Sequence, residues 1–145
     1  MKIFTIGFTK KSARSFFESL QKAGVSRLVD VRLNNTSQLS GFAKRDDLHY
    51  FTETICGIDY VQLPDLTPTA EILEPYKARK QTGWHTYERQ FLNLIKSRHI
   101  EKTIPRDLLD NSCLLCSEDK PHHCHRRLVA EYLAQHWGSI DITHL

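Results

Sequence analysis

Long apolar runs are missing from this 145-residue chain, and so is any strong excess of one charge. No stretch approaches the roughly 18 uninterrupted apolar residues of a transmembrane helix, which excludes a membrane bundle. Lys and Arg number 20 against 17 Asp and Glu, a net charge of +3, so basicity by itself predicts no nucleic-acid partner. The sequence has no internal repeat, no low-complexity tract and no interdomain linker. Four cysteines do not make a disulfide scaffold in a chain of this length. The opening MKIFTIGF lacks both the apolar segment and the small-residue cleavage site of a secretory signal. The expectation is a cytoplasmic protein whose thiols are free or hold metal. What is present is ordinary: 40% hydrophobic and 26% charged residues, the mix of a globular chain and not of a disordered or fibrous one. Its length suits one domain spanning residues 1–145.

Strand and helix patterns alternate along it. Lys2–Ile6 reads as a short apolar strand ended by Gly7. Between Ser12 and Gly24, Ala13, Phe16, Phe17, Leu20 and Ala23 recur at spacings of three and four, a helical stripe. Arg27–Leu33 is a second strand, which completes a βαβ unit with parallel strands. A polar loop follows over Asn34–Gly41, then a helix over Asp46–Cys56 and a strand over Ile58–Leu63. Pro64, Pro68 and Pro75 punctuate a loop with one short helix at most. Thr82–Arg98 is the clearest long helix, and a short helical piece lies near Glu101–Leu108. Ser112–Cys116 reads as a central strand, Cys124–Trp137 as a last helix stopped by Gly138, and Ile140–Ile142 as a last strand. This alternation predicts a three-layer α/β/α domain around a mainly parallel sheet.

Ligands of such sheets bind beyond the carboxyl ends of the strands. Three segments leave predicted strands there with polar groups: Gly7-Phe8-Thr9, Asp30-Val31-Arg32 and Cys116-Ser117-Glu118. Asp30 and Arg32, two apart, share a strand face, as a site pair or as a structural ion pair. Cys124, His125 and Arg126 open the last helix, where cations oppose the macrodipole and an anion would reverse the sign. The plainer alternative is a solvated arginine pair compensated by Glu118 and Asp119.

The cysteines admit three readings. Cys113, Cys116, Cys124 and one of His122, His123 or His125 have the donor types of a zinc site, although a strand sets Cys113 and Cys116 on opposite faces. Cys116 or Cys124 could instead be a nucleophile of lowered pKa. Cys113 and Cys56 fit best as small buried hydrophobes. Glu118 is the candidate for proton transfer, against an ordinary loop carboxylate. Lys77–Lys80, Arg89 and Arg98 form either a phosphate-facing patch or a solvated face. Tyr60, Trp84 and Tyr87 offer stacking surface or simple core packing.

Several motifs resemble one family in order along nearly the whole chain: Thr5-Ile6-Gly7, Val29-Asp30-Val31-Arg32, Ser37 with Ser40-Gly41-Phe42, Gly57-Ile58-Asp59-Tyr60, Leu114-Leu115-Cys116-Ser117-Glu118 and Cys124-His125-Arg126. That family is the one catalogued as domain of unknown function 488. Phe8 and Leu63-Pro64-Asp65-Leu66 depart from its pattern, at positions that would bear on ligand choice. The resemblance implies a compact α/β domain with its motif residues gathered at one end of the sheet, and it names no reaction.

The leading expectation is a small enzyme acting on an anionic or phosphate-bearing ligand, a nucleotide or a nucleic-acid base. Asp30, Cys116, Glu118, Cys124 and His125 are its candidate catalytic residues, and Gly7, Arg32, Tyr60 and Arg126 its ligand-binding ones. A metal-binding module using Cys116, Cys124 and His125 for zinc or iron is the second reading. A non-catalytic nucleic-acid-binding or regulatory protein is the third. The chain carries no nucleotide-cofactor motif.

Overall fold

The computed structural model describes residues 1–36, 41–79 and 82–145. The motif residues Ser37 and Ser40, and Lys80 of the basic run, lie outside the described residues. The chain begins with β1 (Lys2–Gly7), α1 (Ala13–Ala23) and β2 (Arg27–Asp30). After a 3-10 turn at Gly41–Ala43 come α2 (Arg45–Phe51), a π-helical turn (Thr52–Cys56) and β3 (Asp59–Gln62). Helices α3 (Ala70–Ala78), α4 (Trp84–Ser97), α5 (Ile100–Thr103) and α6 (Arg106–Leu109) lead into β4 (Ser112–Cys116). Helix α7 (His125–Trp137) and β5 (Asp141–His144) complete it.

Local chemistry explains most of these bounds. The Ser12 side chain accepts the Ser15 N–H at 3.1 Å to start α1, and Gly24 ends it in the left-handed region at φ 71°. The second strand is shorter than its apolar pattern predicts. The Asp30 carboxylate accepts the Arg32 backbone N–H at 3.1 Å, and that local bond turns the chain out of the sheet. The expected helix over Asp46–Cys56 changes pitch at Thr52, and Gly57 stops it at φ 66°. Pro105 splits the helical piece before β4 into α5 and α6. The short helix expected among the prolines is α3, which runs through Pro75.

All five strands are parallel, in the order β3-β2-β4-β1-β5. β4 therefore sits between β1 and β2, and all five of its residues are buried. Alternation along the strands feeds two apolar layers. Phe4, Ile6, Leu28, Cys113 and Leu115 pack with Phe16, Phe17 and Leu20 of α1 and Leu48 of α2. Ile3, Val29 and Leu114 pack on the other face with Phe91 and Ile95 of α4 and Leu128, Val129 and Leu133 of α7. The domain is α/β, with helices on both faces of one sheet. Among the described residues no helix is long and apolar enough to cross a membrane.

Candidate functional site

A cavity of about 350 Å³ opens beyond the carboxyl end of β4. Cys116, Ser117 and Glu118 line it from the end of β4, and His123, Cys124 and His125 from the start of α7. The opposite wall is Tyr76 and Lys77 of α3 and Tyr87 of α4, while Arg32 and Leu33 enter from the segment after β2. Strand order creates the opening. Chain leaving β4 crosses to α7 while chain leaving β2 runs the other way, the crevice at which open α/β sheets take ligands.

Cys116, Cys124 and His125 form its floor. Their ligand-type atoms all lie within 4.8 Å of one another, and all three residues are buried. His125 Nε2 is 2.7 Å from the Val31 carbonyl, which can only accept, so Nε2 carries the proton. Nδ1 then faces Cys116 Sγ, 3.6 Å away. The Cys116 thiol is held well below its ordinary value, first by the hydrogen bond from Cys124, with the charges of His125 and Arg126 helping against burial. Burial and the shared bond push Cys124 up. Burial works to lower His125, but the negative Cys116 and the Val31 carbonyl outweigh it and the imidazole is raised. Cys113 lies on the other face of β4, in the α1 layer, and burial raises its thiol.

The sequence candidates divide by position. Arg32, Cys116, Glu118, Cys124 and His125 line the cavity, whereas Gly7, Asp30, Tyr60 and Arg126 stand behind it. Asp30 is 2% exposed and accepts Nε and Nη2 of Arg32, each at 2.8 Å, and the Tyr60 hydroxyl at 2.5 Å. Arg32 Nη1 also donates to the Ala43 carbonyl at 2.7 Å. Asp30 and Tyr60 thus orient Arg32, and the pair is a buried bidentate one.

Arg126 differs most from its expected place. It is fully buried, and Nη1 donates to the Glu118 carbonyl at 2.6 Å and Nη2 to the Asp119 carbonyl at 3.3 Å. Its guanidinium clamps the loop that carries Glu118 and does not reach the cavity wall. Gly7 serves the same loop: a Cβ there would meet the Glu118 carbonyl oxygen at 1.6 Å. Thr9 N and Oγ1 both donate to the Ser117 carbonyl, at 3.1 and 2.6 Å.

Sequence reasoning missed Tyr76, which closes the cavity opposite the thiols. Its helix contains Pro75, and a proline-marked segment gives a weak helical signal. Tyr87, read from the sequence as stacking surface or core packing on an apolar helix face, serves both the core and the cavity wall.

An all-parallel α/β sheet with a Cys/Cys/His cluster at the carboxyl end of its central strand defines the class. The family model described as Domain of unknown function DUF488 matches residues 12–133, and the chain belongs to that family. Comparison with curated proteins and with solved structures returned no match.

Proposed function

We propose that Cys116, Cys124 and His125 hold one zinc ion and that the protein is a metal-dependent enzyme working in the adjoining cavity. One observation carries this reading: three buried ligand-type atoms within 4.8 Å of one another, with the imidazole pinned by its far nitrogen. A metal-ligating histidine usually donates its other N–H to a carbonyl or carboxylate, as His125 does to Val31. Zinc–sulfur and zinc–nitrogen bonds of tetrahedral geometry set an S···N edge of about 3.5 Å. Cys116 and His125 are 3.6 Å apart. Two thiolates with an imidazole favour zinc over the harder cations, and iron is the rival for the same donors.

Three protein ligands leave a fourth position toward the cavity, which suits a catalytic site better than a structural one. Bound there, zinc would supply a Lewis acid and lower the pKa of a coordinated water. Glu118 is the wall carboxylate suited to carry a proton, held in place through its own carbonyl by Arg126. Lys77 on the wall, with the Arg32 guanidinium held beside it by Asp30, offers positive charge to an anionic small molecule, a phosphate-bearing one included.

Elemental analysis of protein purified without a histidine tag tests the metal. About one zinc per chain is expected, lost in Cys116→Ser and His125→Ala and retained in Cys113→Ala. A content far below one ends the reading. The second reading is a Cys116 thiolate nucleophile with His125 as its base, favoured by the same 3.6 Å contact. It predicts selective alkylation of Cys116 by iodoacetamide with no metal bound and no protection by added zinc.

A further inference from the structure

Tyr76 presents a problem that the zinc reading does not solve. The residue is 7% exposed, and its hydroxyl is buried without a hydrogen-bond partner. A buried hydroxyl left unpaired destabilises a fold, and phenylalanine would fill the same space without that penalty. The ring itself is well held. It stacks on Tyr87 with centroids 4.6 Å apart and packs against Trp84 at 5.9 Å. Its hydroxyl is therefore fixed in direction by rigid neighbours. That side chain lines the cavity opposite Cys116 and Cys124.

We infer that the Tyr76 hydroxyl is the donor that recognises the cavity's occupant, by bonding an oxygen of a small oxyanion. Lys77, the next residue on α3, also lines the cavity and supplies a positive charge beside that donor. A carboxylate and a phosphate share this chemistry: an oxygen to accept the phenol O–H and a negative charge to face the ammonium. Leu33, Leu73 and the Tyr87 ring give the same cavity an apolar wall, so the occupant carries an apolar body behind its anionic group. A volume of about 350 Å³ limits it to the size of a small metabolite. The inference deepens the cavity reading above, but it rests on Tyr76 and Lys77 and not on the metal.

Trp84 provides the readout, because it stacks at 5.0 Å on His123 of the cavity wall. Wild type, Tyr76→Phe and Lys77→Gln are titrated with inorganic phosphate and separately with acetate, following tryptophan fluorescence. Each is run chelator-treated and zinc-loaded. Wild type should bind at least one anion in both forms, and which anion binds tighter assigns the phosphate or the carboxylate source. Tyr76→Phe should weaken binding about tenfold, the loss of one hydrogen bond. Its melting temperature should equal or exceed that of wild type, because the lost hydroxyl has no partner to strand. Lys77→Gln should weaken both anions.

Three results would overturn the inference: no anion binds wild type, Tyr76→Phe binds as wild type does, or Tyr76→Phe melts lower. Stoichiometric zinc with no anion binding removes this proposal alone. Tyr76-dependent anion binding by a chain that takes up no zinc removes the metal reading alone.

Discussion

Gly7→Ala is the sharpest probe of how the loop after β4 is held. The substitution adds one methyl group at the end of β1, where Gly7 pairs in register with Cys116. An ideal Cβ would stand 1.6 Å from the Glu118 carbonyl oxygen, whereas an unstrained carbon–oxygen contact is near 3.3 Å, so the loop must retreat by roughly 1.7 Å. A shift of that size breaks the bond from Arg126 Nη1 to the Glu118 carbonyl and loosens those from Thr9 to Ser117. It also leaves a buried guanidinium short of acceptors. Overpacking costs about 1–3 kcal/mol, and a hydrogen bond to a charged donor contributes about 1.5–3 kcal/mol, so a loss of about 3–5 kcal/mol is expected. For a domain of this size that lowers Tm by roughly 10–20 °C. Urea unfolding followed by far-UV circular dichroism measures it, with Gly41→Ala as control, since a Cβ at Gly41 meets no atom within 4 Å. A Gly7→Ala loss below about 1 kcal/mol would refute the packing argument.

Other perturbations separate support from chemistry. Asp30→Asn leaves the buried Arg32 charge unbalanced and should cost about 3–5 kcal/mol in urea unfolding; stability near wild type would contradict the buried pair. Cys113→Ala should cost about 1–2 kcal/mol yet leave metal content unchanged, because its side chain faces the α1 layer; loss of metal would place it in the site after all. His144 shares a 2.6 Å contact with Thr5 Oγ1, and desolvation followed by the charge of Arg126 lowers its folded pKa. A lowered pKa gives stability that is present above the ordinary histidine range and lost as pH falls through the folded value. Ring-proton NMR should therefore show His144 titrating below 6.5 in the folded protein, and a value at or above it would contradict the assignment.

Local pattern made the elements legible, since helices α1, α4 and α7 and strands β1 and β4 announce themselves by period and by capping residues. Strand order was less accessible, because β1 pairs with β4 across more than a hundred residues and no local signal encodes that partnership. The site was legible by residue type. Cys116, Cys124 and His125 stand out as donors whatever their geometry. The direction of Arg126 was not readable in the same way. Neighbouring residues at a helix start point about 100° apart, so His125 can face the cavity while Arg126 turns under the loop. Tyr76 escaped because nothing in a sequence marks a hydroxyl that will find no partner.

The insertion of β4 between β1 and β2 has a consequence for synthesis on the ribosome. Two strands made within the first thirty residues cannot become neighbours through direct pairing; they wait for a bridging segment that emerges only after residue 111. A nascent chain arrested before that point holds its earliest strands with open edges toward each other, exposed to chaperones or to self-association. The same late segment delivers Cys116, and Cys124 and His125 follow within ten residues. Closure of the sheet and assembly of the thiol–imidazole cluster therefore fall in one late step of biogenesis, and truncations ending before residue 112 should be insoluble rather than merely inactive.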